Sequence, residues 1–290
     1  MKKLLVILHM YYPDQADYFV RKLGNICGCD WKLVVTYTEY DAVAFRTIRD
    51  FVPDAEFMKV ENIGYDIWPF IKVIKKTDLA GYDYILKLHT KGSTPGYRIN
   101  GLRMRDYRWR DLLVDAILGS PAKFRACLEC FEKTPKAGII CSYELKQDLH
   151  SRLPENGVLL RREKERIGLV SGRSEAYFCA GSIFMARAAV LGRIQRLRLT
   201  DEMWGTHFSS HSQGTLAHVY ERLLCIMVQA AGYEMYTVRT GMLSSLSVFV
   251  HNTIGRALRF LFCIERDEDG RKFMMLFGFK FSLGNGAVQV

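Results

Sequence analysis

The chain has 290 residues, 49% of them apolar and 25% charged, with a formal net charge of +10 at neutral pH. That length and apolar content supply a continuous core for one large domain, or one domain with a small appendage, and exclude global disorder. The positive balance favours an anionic partner; nucleotide diphosphates, anionic lipid headgroups and nucleic acid all qualify, and charge alone does not choose among them.

Eight cysteines, from Cys27 to Cys263, are scattered among apolar residues, the pattern of reduced, buried thiols, so a cytoplasmic protein is expected. Cys127 and Cys130 have the spacing of half a zinc site, but no second Cys/His pair of matching spacing follows. Met1-Lys2-Lys3 ahead of Leu4 to Leu8 superficially resembles a secretory leader. The apolar run breaks at His9 without a small-residue cleavage site, so it reads better as a first buried strand. No stretch approaches the roughly 18 to 20 apolar residues of a membrane span, and any membrane contact is expected to be peripheral.

In chain order, the continuous apolar run Lys3 to Met10 predicts a parallel strand covered on both faces, ended by the turn signal Tyr11-Tyr12-Pro13-Asp14. Asp17 to Ile26 has helical spacing, Trp31 to Thr38 reads as a second strand, Tyr40 to Phe51 as a helix and Glu56 to Val60 as a third strand. Trp68 to Lys76 predicts another helix, with Pro69 in its first turn, and Tyr82 to His89 a fourth strand followed by a Gly92 to Gly96 turn. This alternation implies a mostly parallel sheet flanked by helices, with the loops after Met10, Thr36, Asn62 and His89 converging at the strand ends. Leu102 to Leu118 and Pro121 to Lys133 read as helices and Ala137 to Cys141 as a strand. Ser142 to Gly172, polar and carrying the run Arg161 to Arg166, reads as an irregular, acceptor-facing insertion or a solvated helix face. Tyr177 to Met185 is strand-like, Arg187 to Arg198 helical, and Leu216 to Met227 keeps the apolar rhythm of an amphipathic helix. An apolar and basic helix around Ile254 to Cys263, an Asp267 to Gly270 turn and a strand pattern from Lys272 to Leu283 close the chain. The expected division is a main domain over 1–245 and a helix-and-hairpin appendage over 246–290.

The strings Glu61-Asn62-Ile63-Gly64-Tyr65-Asp66 and Lys87-Leu88-His89-Thr90-Lys91-Gly92-Ser93 place polar groups, a glycine and cations where such a sheet offers its binding loops. Transfer from a sugar nucleotide needs a stabilised diphosphate, a seat for the sugar and, for inversion, a base to deprotonate the acceptor hydroxyl. Asn62, Gly64 and Asp66 suit sugar or ribose hydroxyls, and His89, Lys91 and Ser93 suit the diphosphate. No Asp-x-Asp pair ends the fourth strand, so no cofactor is predicted and cations are expected to replace the metal, although manganese or magnesium held by Asp66 and His89 stays open. Glu221, three residues after His218 on one helical face, is the candidate base, with His218 positioning it. Arg103, Arg105 and Arg108, in a basic and aromatic stretch, are candidates for acceptor or phosphate contact. Each has a plainer alternative: Asp66 as a helix cap, His89 as a satisfied core residue, Glu221 and the arginines as surface ion pairs.

Together with Ala180-Gly181-Ser182-Ile183-Phe184 and Leu216 to Arg222, these strings resemble the rhamnan synthesis protein F family of bacterial polysaccharide glycosyltransferases. The resemblance implies a GT-A-like nucleotide-sugar fold. It also implies a role in building rhamnose-containing or related surface polysaccharide, O-antigen or capsule, at the cytoplasmic membrane face, without fixing the sugar. The preferred reading is transfer of rhamnose or a related sugar from a dTDP- or UDP-sugar to a lipid-linked oligosaccharide, with peripheral contact with an anionic membrane. Two other classes remain: a non-catalytic glycan- or lipid-binding partner in polysaccharide assembly, and, ranked last for want of any recognised signature, a nucleic-acid binder, so nucleic acid is not an expected partner.

Overall fold

The computed structural model describes residues 1–149, 153–169, 177–204, 215–266 and 272–282. The Asp267 to Gly270 turn expected from sequence lies outside them. Strands β1 (Lys3–Met10), β2 (Asp30–Tyr37), β3 (Glu56–Lys59) and β4 (Tyr84–His89) alternate with helices α1 (Ala16–Leu23), α2 (Ala42–Phe51) and α3 (Ile67–Lys76). Seven residues of β1 and all six of β4 are buried; β1 reads as an apolar run for that reason, whereas β4 carries Lys87 and His89 into the covered layer. Asp41 starts α2 by accepting the Ala44 N–H at 2.8 Å. Asp66 opens α3 without a side-chain cap, so its carboxylate is spent elsewhere.

Beyond β4 the sequence reading needs correction. The Gly92 to Gly96 turn and the start of the expected Leu102 helix are instead a hairpin of β5 (Thr94–Ile99) and β6 (Leu102–Asp106). Its turn residues Asn100 and Gly101 both have positive φ, 49° and 78°, as a two-residue hairpin turn requires. Along β6 the side chains of Leu102 and Met104 are buried while Arg103 and Arg105 face out, the two-residue alternation of a strand. Helix α4 begins only at Arg108 (Arg108–Leu118) and is followed by α5 (Pro121–Lys133).

Next come β7 (Ala137–Ser142), β8 (Lys146–Asp148), α6 (Leu153–Arg166), β9 (Tyr177–Cys179), β10 (Phe184–Arg187), α7 (Gly192–Gln195), α8 (Leu216–Ala230) and β11 (Glu234–Val238). The Arg161 to Arg166 run belongs to the ordered helix α6, not to an irregular insertion: Arg166 pairs with Glu163 at 2.6 Å and donates to Tyr220 Oη at 2.7 Å. The expected continuous strand over Tyr177 to Met185 is broken at Gly181 and Ser182, both at positive φ. The Arg187 to Arg198 helix shrinks to a 3₁₀ turn and the short α7.

The main sheet has seven strands in the order β11-β7-β10-β4-β1-β2-β3, parallel throughout except for β10, which runs against both β4 and β7. After its last strand, α9 (Met242–Leu261) leads to a separate three-stranded sheet of β12 (Phe262–Arg266), β13 (Lys272–Leu276) and β14 (Phe279–Ser282). Among the described residues, no helix is long and apolar enough to cross a membrane, and no group of three His, Cys, Asp or Glu side chains could hold a metal.

The loop between β3 and α3 is fixed by aromatic packing. Trp68 and Trp204 stack with ring centroids 4.9 Å apart, and Gly64, at φ +70°, lies beneath them. A Cβ there would sit 2.3 Å from Trp68 Cβ and 3.0 Å from the Trp204 ring. Left-handed strain and overpacking therefore act together, and Gly64→Ala is expected to lower the unfolding free energy by about 2 to 4 kcal/mol. Denaturant unfolding of the two proteins measures this; equal midpoints would contradict the packing described.

Candidate active site

Three loops meet beyond the carboxyl ends of β1, β3 and β4. Thr90 Oγ1 accepts the N–H groups of Tyr11 and Tyr12, both at 2.9 Å, and so joins the ends of β1 and β4. The Gln15 amide grips Lys91 from both sides, donating to its carbonyl at 2.9 Å and accepting its N–H at 3.4 Å. Tyr65, held at φ 51°, projects from the third loop and meets His218 of α8 edge to face at 5.5 Å. His9, buried behind Thr90, is neutral: burial pushes its pKa down to about 3, and Nδ1 lies 3.0 Å from Thr36 Oγ1.

A buried ion cluster ties these loops to the break between β9 and β10. Lys87, in the middle of β4 and 1% exposed, donates to Asp66 and, at 2.9 Å, to Ser182 Oγ; Ser182 in turn donates to Asp66. Burial alone would raise the Asp66 pKa, but His89, once protonated in acid, the charge of Lys87 and the donated hydrogen bonds outweigh it and hold the carboxyl far below its ordinary value. His89, two residues on and facing the same way, lies 2.7 Å from the Gly181 carbonyl through Nε2 and 3.0 Å from the Thr90 carbonyl through Nδ1. Two carbonyl neighbours and Asp66 favour an imidazolium, yet burial is the larger effect and pushes the His89 pKa down to about 4. At neutral pH His89 is therefore an uncharged positioning group for the Gly181 loop. The sequence shows the ring but not the carbonyls that enclose it.

The residues so placed surround a cavity of about 380 Å³ that Asp66, His89, Lys91, Ser93, His218 and Glu221 all line. An adjoining cavity of about 280 Å³ shares Asp66, His89 and Lys91 and adds Asn62, His9 and Tyr11. Lys91 Nζ lies 3.6 Å above the Trp109 ring, and among the described residues no carboxylate pairs with it. Burial lowers its pKa, partly offset by the fields of Asp66 and Glu221. Across the cavity Glu221 Oε1 accepts the Gly181 N–H at 2.6 Å, and burial raises its pKa against the pull of Arg222. His218, one turn earlier on α8, points its Nδ1 at Thr215 Oγ1, 2.6 Å away.

Seven of the residues singled out by sequence thus gather here, but Gly64 does not line either cavity and acts through Trp68 and Trp204. Arg103, Arg105 and Arg108 also stay outside: Arg103 and Arg105 face out because the hairpin turns its alternate side chains, Thr94, Tyr97 and Ile99 among them, toward the cavity, and Arg108 is exposed at the start of α4. The site residues that sequence reasoning missed are Ser182, Tyr12, Tyr65 and Trp109. Ser182 was visible only as part of a Gly-Ser string, and Trp109 sat among arginines whose exposure it does not share.

The cavity lies beyond the strand ends of an open, mostly parallel sheet, the place where α/β sheets of this kind seat ligands. Residues 1–233 match the family described as Rhamnan synthesis protein F, and the chain belongs to that family. It is 29% identical over 238 residues to WxcX, described as an uncharacterized protein, in two strains of Xanthomonas campestris pv. campestris; each alignment covers 80% of this chain. The chain spans about a third of the length of these curated relatives, 32%. Similar solved structures include TarS 1–349 of S. aureus, with TM-score 0.41, 9% identity and coverage of 82% of this chain and 58% of that one. A mycobacterial protein has TM-score 0.42, 11% identity and coverage of 98% and 85%.

The ion cluster carries a direct test. Asp66→Asn leaves Lys87 buried without its counter-ion and is expected to cost about 3 to 5 kcal/mol in urea unfolding, whereas adding Lys87→Met recovers much of that loss. Because the Asp66 pKa is depressed by folding, its contribution is present above the unfolded-state value of about 3.9 and is lost as pH falls below it. The gap between wild type and Asp66→Asn should therefore narrow in acid; a gap that is independent of pH would contradict the pairing.

Proposed function

We propose that this chain is a glycosyltransferase with a GT-A-like nucleotide-sugar site, passing rhamnose or a related sugar from a dTDP- or UDP-sugar to a lipid-linked oligosaccharide of a bacterial surface polysaccharide. Membership of the rhamnan synthesis protein F family supports a polysaccharide-synthesis role. The observation that carries the enzymatic reading is the pair of groups that line one cavity: Lys91, a lysine with no carboxylate partner among the described residues, and Glu221, a carboxylate with raised proton affinity.

In this reading Lys91, with Ser93 beside it, takes the diphosphate and stabilises the charge that grows as the glycosyl bond breaks. Asn62 and the Asp66 loop face ribose and sugar hydroxyls. Lys87 takes no direct part, since Asp66 and Ser182 occupy it. Glu221, oriented by the Gly181 N–H and flanked by His218, removes the proton of the acceptor hydroxyl. Arg103, Arg105 and Arg108, outside the cavity, meet phosphates of the acceptor, and contact with an anionic membrane is peripheral.

Donor binding and turnover test the two roles separately. Lys91→Met is expected to weaken nucleotide-sugar binding about 10- to 100-fold, the worth of a charge-assisted hydrogen bond. Glu221→Gln should leave that affinity nearly intact and lower kcat by about 10² to 10⁴. Wild-type activity should rise with pH through an inflection above the ordinary glutamate value of about 4.3, because only the ionised Glu221 acts as base, and Glu221→Gln should lose that limb. Thermal-shift titration with UDP- and dTDP-sugars, with manganese and with a chelator, reads the first; a transfer assay reads the second. Binding without turnover in wild type would favour a non-catalytic partner, and turnover unchanged by both substitutions would eliminate the assigned site.

A further inference from the structure

Helix α9 is built inside out. The side chains it turns to the rest of the protein are small or polar, Ser245 and Val248 at 3% and 0% exposure with Ser244, Asn252 and Gly255 partly covered. Outward, Leu243, Leu246, Val250, Ile254, Leu258 and Leu261 form an unbroken stripe at three- and four-residue spacing, each between 45% and 80% exposed. An apolar face spanning the whole helix exceeds what a soluble surface ordinarily leaves bare. The sheet that follows adds exposed Phe277, Phe279 and Phe281.

Charge identifies the occupant. The sequence of α9 contains no acidic residue, and the β5–β6 hairpin packed beside it exposes Arg98, Arg103 and Arg105. The two elements share one anchor. The buried Glu144 carboxylate accepts from Thr240 N at 3.0 Å and Ser245 Oγ at 2.7 Å at the start of α9, while the Glu144 carbonyl accepts from Asn100 Nδ2 of the hairpin turn at 2.8 Å. Further along, the His251 ring lies against Gly101, where a Cβ would come within 2.9 Å. A second copy of the chain meeting this face would bring like charges together, whereas a bilayer accepts apolar side chains and answers the arginines with its headgroups.

We propose that the outer face of α9, with the arginine edge of the β5–β6 hairpin, is a docking surface for an anionic lipid bilayer. The same hairpin lines the candidate active site through Thr94, Tyr97 and Ile99, so docking holds that cavity one hairpin's width from the lipid headgroups. This deepens the transferase reading only by placing the site beside a membrane-borne acceptor; the docking surface itself does not require it.

Flotation of the full chain, without nucleotide, with vesicles of phosphatidylcholine alone or mixed with phosphatidylglycerol tests the surface. Flotation is expected with the mixed vesicles, falling as salt is raised, and the double substitution Leu246→Glu with Ile254→Glu should weaken it about tenfold or more. Because both side chains face solvent, that variant should keep its circular dichroism and any nucleotide-sugar thermal shift. Arg98→Ser with Arg103→Ser and Arg105→Ser should remove the preference for phosphatidylglycerol. Absence of flotation, flotation unchanged in a folded double variant, or a wild-type dimer in light scattering that the double variant disperses would each overturn the proposal. Loss of vesicle binding with nucleotide-sugar binding retained separates this surface from the catalytic reading.

Discussion

The structure depends on one buried contact, the union of Lys87 with Asp66 and Ser182. A lysine at the centre of a covered strand is costly unless a counter-ion reaches it, and only a loop on the α3 side of the sheet delivers that carboxylate. The requirement pins the β3–α3 loop over the end of β4 and draws the β9–β10 break in from the other side. Three segments far apart in sequence are thereby fixed around one point, and the cavities are the space left between them.

The same contact sorts the charges. Lys87 is neutralised by Asp66, His89 is uncharged because burial outweighs its polar neighbours, and Lys91 lines the cavity without a carboxylate partner among the described residues. Glu221, raised in proton affinity by burial, stands opposite. In a partly enclosed site these charges act through a lower dielectric than in water, so their placement weighs more than their number. The backbone of Gly181 joins the two sides, its N–H held by Glu221 and its carbonyl by His89.

Much of this was legible in the sequence where burial leaves a periodic trace. β1 is covered on both faces and reads as a continuous apolar run, and α2, α3 and α5 match their expected bounds to within two residues. The convergence of Asp66, His89 and Lys91 followed from the rule that ligands sit beyond parallel strand ends. The hairpin was misread although Asn100-Gly101 announced it, because the basic residues after Leu102 suit a helix by composition while their alternation suits a strand. β11 was not anticipated, since a partly exposed edge strand has neither an apolar run nor clean alternation. The contacts of Ser182 with Lys87 and Asp66 are hidden for a different reason: they span 95 and 116 residues, which no local pattern reports.

Hydrogen exchange measured with and without UDP- and dTDP-sugars tests the central claim, that the loops joined by the Lys87 cluster form one donor site. Slowed exchange is predicted to appear together in 61–67, 89–94 and 179–183 and in the first turns of α8, with the opposite end of the sheet unchanged. Protection confined to another surface, or in only one of those loops, would contradict it.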